Sequence, residues 1–279
     1  MVTIIKEQTE LRQRVIPVGV VEQLNRYPVK SMLAEPLTEA DVNLHGVVGD
    51  RRFAFIQSGN HTRFPWLTAR EVPRMMLYRA EHVDPSDPDI SGVLVTTPEG
   101  RQLDLFSAEL LDELREQLKP RLRKHPIFPV HLSSAFDSAH ISILTPHAVQ
   151  KLSDLMGGDV EPRRFRSNLY VNTDGSEQPD EQTWIGSQVV IGDGDQATVV
   201  AITKGIPRCM MPNLHPDTAV QDPRILRTIA RKQDNLMGIY GTVVKRGRIH
   251  VGDTVRLLVD EGRQVIDDQP HVKSVMRLK

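Results

Sequence analysis

The only cysteine of the chain, Cys209, stands in the run Lys204-Gly205-Ile206-Pro207-Arg208-Cys209-Met210-Met211-Pro212-Asn213. Two prolines and a glycine around it predict a loop rather than a helix or strand interior. Arg208 is its immediate neighbour, and a guanidinium favours the thiolate, the form that attacks electrophiles or ligates metals. Thiolate is also a soft ligand, suited to a soft or high-valent transition metal. The plain alternative is a small side chain filling a gap, because free cysteine is among the most buried residue types.

Cationic residues recur at other loop edges. Lys30-Ser31 follows a proline, Arg51-Arg52 opens a strand after Gly49-Asp50, and Arg163, Arg164 and Arg166 crowd the start of another strand. Brought together, they would bind a dianionic group such as a phosphate, arginine by a planar fork and lysine as a point charge. Taken singly, each reads as a solvated or ion-paired strand end. Other chemistries lack their motifs: there is no HExxH, GxGxxG, P-loop or GxSxG. His215 lies near Cys209, but one Cys and one His are too few for a structural zinc site.

Composition narrows the field further. The 279 residues suffice for two modest domains or one large one. With 35 Lys and Arg against 36 Asp and Glu, nothing suggests a protein-wide basic surface for nucleic acid. A single cysteine excludes an internal disulfide, a CxxC redox pair and a cysteine-ligated iron–sulfur cluster, and it suits a reducing, cytoplasmic setting. Residues 1–14 are charged throughout and read as a polar arm. No apolar run approaches the ~20 residues of a membrane span, so the expectation is a soluble chain without a membrane partner.

The elements that must position these residues are mostly strands. Alternating or β-branched stretches predict strands at 18–27, 37–44, 51–56, 75–80, 93–97 and 101–106, with a turn at 58–60. Ser107 caps a helix running to about residue 118, and the Pro/Arg/Lys-rich segment 119–129 is the candidate domain boundary. The second half predicts strands at 141–144, 166–172, 188–191, 197–203, 237–245, 248–251 and 254–258. Thr145 with Pro146 starts a helix that Gly157-Gly158 ends, and Asp222-Pro223 starts another running to about residue 232. The fold class is therefore mainly β (α+β): two β-barrel-like domains, 15–118 and 119–279, with a few peripheral helices.

At this point the residues resemble a known family. IPRCMMPNLHPDT, followed by MGIYGTVVKRGRIHVGDTVRL, resembles the MOSC domain, named after the C-terminal domain of molybdenum cofactor sulfurase. LNRYPVKSM, HGVVGDRRFAFI and FPWLTAREVPRMM resemble its usual partner, the MOSC N-terminal β-barrel domain. ISILTPHAV and RRFRSNLYVN also fit, so the resemblance spans roughly residues 16–259. Within it, the functional relatives are amidoxime-reducing components, molybdenum enzymes that reduce N-hydroxylated compounds.

The resemblance implies a molybdenum cofactor (Mo-molybdopterin) with Cys209 as catalytic residue and metal ligand, beside the dithiolene of the pterin. Lys30, Ser31 and Arg51 would hold the cofactor's phosphate and pterin from the N-terminal domain, with Arg52 as the alternative register for Arg51. Thr145, Arg166, Asn168 and Arg208 would hold it from the MOSC domain, and Arg70 would stand at the cleft rim. Relatives with a four-cysteine ferredoxin-like domain or a membrane anchor differ from this chain. The implied reductase therefore takes electrons from a separate donor protein and acts on a small N-oxygenated substrate. The other reading is a carrier, with Cys209 holding a persulfide or handing on cofactor. One departure stands out. The family's Asp-Pro-Asp-Thr-Gly is His215-Pro216-Asp217-Thr218-Ala219 here, which removes the residue most tolerant of a positive φ and predicts a loop that differs at this point.

Overall fold

In the computed structural model, residues 13–58, 65–132, 138–173 and 180–260 are described. Most of the polar arm and part of the 58–60 turn lie outside them. The architecture is mostly β, as the alternation predicts, with four α-helices among the described residues.

Seven strands close into a barrel. In spatial order they are Leu169–Asn172, Ile141–Leu144, Leu236–Lys245, Thr198–Pro207, Gln188–Ile191, Thr254–Asp260 and Gln13–Arg26. The last pairs back on the first, through Val20 with Asn172 and Leu24 with Leu169. A fourteen-residue strand can do this because it bends at Gly19, where the register against Thr254–Asp260 shifts. At that position φ is +150°, and a Cβ would stand 2.0 Å from the Asn172 carbonyl oxygen, so only glycine fits. Val18, Val21 and Leu24 fill the interior with Ile141, Ile143, Val200, Ile202 and Ile239.

Two small sheets lie over a second core containing Met32, Phe55, Met75, Tyr78, Leu110 and Leu114, and a third, through Ala40, Val42, Val47 and Ile249, packs on the barrel core. The two halves exchange strands. Gln13–Arg26 belongs to the barrel built otherwise from the C-terminal half, and Ile127–His131 pairs with Phe53–Gln57. Glu39–Asn43 pairs with Gly247–His250. These pairings cross the expected 118/119 boundary in both directions.

The capped helices fall where their signals put them. Ser107 accepts from Leu110 N–H at Ala108–Glu116, Thr145 from Ala148 N–H at Pro146–Met156, and Asp222 from Arg224 N–H at Pro223–Lys232. Two expectations fail locally, and one strand was not expected. Residues 73–77 form a 3-10 turn opened by Pro73, and the strand begins only at Arg79. Arg166 is left-handed at φ +56°, so the strand expected from 166 starts at Leu169. Strand Ile127–His131 was hidden by Pro129, which this strand tolerates because it lies at a sheet edge.

Candidate cofactor site

The strand Thr198–Pro207 runs from the barrel into the cysteine loop. Cys209 follows it by two residues, free and half-buried, ahead of the 3-10 turn Met211–Asn213. It lines a cavity where the two halves meet. Lys30, Ser31, Arg51, Thr68 and Arg70 come from one side, and Ser142, Arg164, Phe165, Arg166, Arg208, Met211 and Tyr240 from the other. Of the sequence-predicted site residues, Lys30, Ser31, Arg51, Arg70, Arg166, Arg208 and Cys209 therefore share one cavity.

The backbone is bent to deliver them. Ser31, Arg51 and Arg166 have φ of +71°, +49° and +56°, a region that non-glycine residues seldom occupy. Such conformations cost on the order of 1–3 kcal/mol each and cluster at functional sites. Surrounding bonds hold them: Lys30 N–H donates to Phe53 O at 2.8 Å, and Arg51 N–H to Tyr27 O at 2.6 Å.

Tyr27 organises the cationic wall. Its ring carries the guanidinium of Arg51 at 4.6 Å and that of Arg166 at 4.4 Å. Arg51 also donates to the Arg166 carbonyl at 3.0 Å and pairs with the buried Asp50 carboxylate. Burial opposes the Arg51 charge, but the Asp50 carboxylate above all offsets it, so the group is held above the ordinary arginine range. Burial pushes the Tyr27 phenol up, against the pull of Arg166 and Arg51, so it stays a neutral donor to Ser167 O.

Arg208 is anchored differently. Its Nε donates to Met237 O at 2.8 Å and its Nη1 to Phe165 O at 3.0 Å, with the Phe165 ring 5.3 Å from the guanidinium carbon. Its Nη2 is buried without a hydrogen-bond partner. Burial lowers its pKa against the opposing influence of Tyr240, Tyr170, Cys209 and Glu181.

Thr145 and Asn168 do not line the cavity. Asn168 Oδ1 accepts from Ser142 Oγ at 2.9 Å and from Arg51 Nη1 at 3.4 Å, and its Nδ2 donates to Asn25 O, so it braces Arg51 from behind. Thr145 caps its helix and donates to Glu181 Oε2 at 2.7 Å. Arg52 turns away to Leu132 O and Asp89, which leaves Arg51 as the register that faces the cavity. Arg163 is exposed and pairs with Asp217 and Glu161.

Several wall residues escaped the sequence reading. Arg164 was seen in its cluster but not singled out. It donates to Pro212 O and Asn213 O and so buttresses the cysteine loop. Tyr27, Ser142 and Tyr240 sit in strands or at their ends and look like ordinary sheet residues. Ala219 adopts the left-handed conformation at φ +56°, and its N–H donates to His215 O at 2.8 Å, so alanine stands at a position that favours glycine.

The donor set has a clear chemical character. Six cationic side chains and one thiol line the cavity, with no carboxylate among the lining residues. Among the described residues, no group of three His, Cys, Asp or Glu is placed to hold a metal. A metal here would take Cys209 as its protein ligand and its other donors from a bound polyanion. The unpartnered Nη2 of Arg208 suits an anionic oxygen. These residues fit an anionic, phosphate-bearing group, with the Cys209 thiol available as a metal ligand.

Comparison with known proteins gives the family. The model of the MOSC domain matches residues 128–256, and that of the MOSC N-terminal beta barrel domain matches residues 18–124. The chain is 27% identical over 300 residues to mitochondrial amidoxime reducing component 2 of Homo sapiens, covering 89% of this chain and 86% of that protein. It is 25% identical over 291 residues to mitochondrial amidoxime-reducing component 1 of Danio rerio, covering 87% and 86%. Among solved structures, the YuaD protein of Bacillus subtilis aligns with a TM-score of 0.48 at 14% identity, covering 88% of this chain and 98% of that one. No helix among the described residues is long and apolar enough to cross a membrane. With both models matching in tandem along the chain, it belongs to the MOSC family, in the arrangement that joins a MOSC N-terminal beta barrel domain to a MOSC domain.

Proposed function

We propose that this chain binds a molybdenum cofactor and reduces small N-hydroxylated or N-oxygenated compounds, with electrons from a separate donor protein. The observation that carries the reading is the single cavity that joins Cys209 to Lys30, Arg51, Arg70, Arg164, Arg166 and Arg208. The relatives named amidoxime-reducing components support the substrate class.

In this reading Cys209 is the protein's metal ligand. Lys30, Ser31, Arg51, Arg166 and Arg208 bind the cofactor's anionic groups, and Asn168 and Thr145 position Arg51 and the helix start behind them. The cofactor supplies the two-electron chemistry, and the protein supplies binding, orientation and electrostatics. The cationic wall would neutralise the phosphate of a bound cofactor, and the cavity would leave a small substrate access. A free thiol suits a reducing compartment, the cytoplasm being the simplest, although the relatives are named as mitochondrial.

Turnover of benzamidoxime with reduced viologen as electron source tests the reading. Molybdenum-loaded protein is expected to form benzamidine. No turnover of benzamidoxime or hydroxylamine by loaded protein would overturn the reductase. The persulfide carrier has no observation of its own in its favour.

A further inference from the structure

Arg208 rests on a seat that is itself clamped. Its Nε donates to Met237 O, and the next residue, Gly238, packs against its Nη2 so closely that a Cβ there would stand 3.0 Å away. Gly238 is held at both ends of its backbone. Its N–H donates to Glu181 Oε1 at 3.1 Å, and its carbonyl accepts from Gln182 Nε2 at 2.9 Å. The other oxygen of Glu181 accepts from Thr145 Oγ1 at 2.7 Å, which ties the clamp to the end of strand Ile141–Leu144. Glu181 is 1% exposed, so its bonds to Thr145 and Gly238 are made away from water.

We propose that Glu181 is a positioning residue for Arg208: by holding Gly238 it sets where the guanidinium stands, and through it the electrostatic environment of Cys209. The inference rests on the reading of Arg208 and Cys209 as one cofactor site. When Glu181 is ionised, its charge and its grip on Gly238 both draw Arg208 toward the seat. When it is neutral, Arg208 is freer to face the cysteine loop. Burial, with Asp180 beside it, pushes the Glu181 carboxyl up to about 7, so this change falls within ordinary buffers. The other charged groups along the adjoining cavity are Lys151, Lys232 and Asp234, and Lys151 is engaged by Asp180 at 2.8 Å.

Because Cys209 is the only cysteine, its alkylation by iodoacetamide reports on the site in the full chain without reference to metal content. Rates are compared at pH 6 and pH 8 for wild type, Glu181→Gln, Arg208→Ala and the double variant. The glutamine keeps an acceptor for Gly238 and removes the charge. Glu181→Gln is expected to react about threefold faster than wild type at pH 8, because Arg208 is freed toward the cysteine loop, and nearly equally at pH 6. In the Arg208→Ala background the pH 8 difference should vanish. Rates equal to or below wild type at pH 8, or a difference that survives in Arg208→Ala, overturn the proposal. A chain that fails to bind molybdenum contradicts the functional reading and leaves this result standing.

Discussion

Arg166 donates from Nη1 to the carbonyl of Met32 at 2.6 Å, joining residues 134 positions apart in the chain. The bond ties the barrel side of the cavity to the N-terminal half, while the same guanidinium packs on Tyr27. The site is therefore part of what holds the two halves together. Arg166→Ala removes the tie and leaves a partly buried carbonyl unpaired. It is expected to lower unfolding stability by about 2 kcal/mol, measured by urea denaturation. Arg166→Lys keeps the charge without the planar fork and should recover only part of the loss.

Ala219 occupies a left-handed position at φ +56°. Glycine accepts that conformation without the Cβ penalty, although it adds entropy to the unfolded chain. Ala219→Gly should therefore be neutral to stabilising, by up to about 1 kcal/mol. The readout is the midpoint of thermal or urea unfolding, and a clear loss of stability would show that the loop does not adopt this turn.

Gly238 is left-handed at φ +74°, and a Cβ there would meet Arg208 Nη2 and Ile143 O, each at 3.0 Å. The carbonyl is backbone and cannot swing aside. Gly238→Ala is expected to cost about 1–3 kcal/mol and to displace Arg208. Urea unfolding measures the first effect, and the alkylation rate of Cys209 the second.

The Glu181 carboxyl sits near 7 in the folded chain, against an ordinary value of 4.5, chiefly because it is buried. Between those values the folded state keeps a proton that the unfolded state has lost. Stability therefore falls as pH rises through this window and levels off above it. The loss attributable to this group is on the order of 1–3 kcal/mol. Urea midpoints taken from pH 4.5 to 8 should show the decline in wild type and not in Glu181→Gln. A wild-type curve that rises across the same window by the same amount would contradict the assignment.

Much of this arrangement was legible in the residues, and the failures have physical causes. The helix starts at Ser107, Thr145 and Asp222 were readable because capping is a local interaction. The cations of the cavity were readable because lysine and arginine at loop edges stand out against a strand pattern. What was not readable is how they are aimed. Arg51 and Arg52 are adjacent in sequence, and only the left-handed turn at Arg51 decides that it faces the cavity while Arg52 pairs with Asp89. The strand Ile127–His131 was missed because Pro129 interrupts its pattern and its partner lies seventy or more residues away. Glu181 gave no signal, since a carboxylate beside Asp180 in a polar stretch looks like solvated surface. Its burial is a consequence of tertiary packing alone.

The central claim is that Cys209 ligates molybdenum in a cationic cofactor cavity. Its most direct test is metal and pterin analysis of the protein from a host that makes molybdenum cofactor, with Cys209→Ala prepared alongside. The account predicts near-stoichiometric molybdenum in wild type and its loss in Cys209→Ala. Molybdenum retained fully by Cys209→Ala, or absent from both proteins, would contradict it.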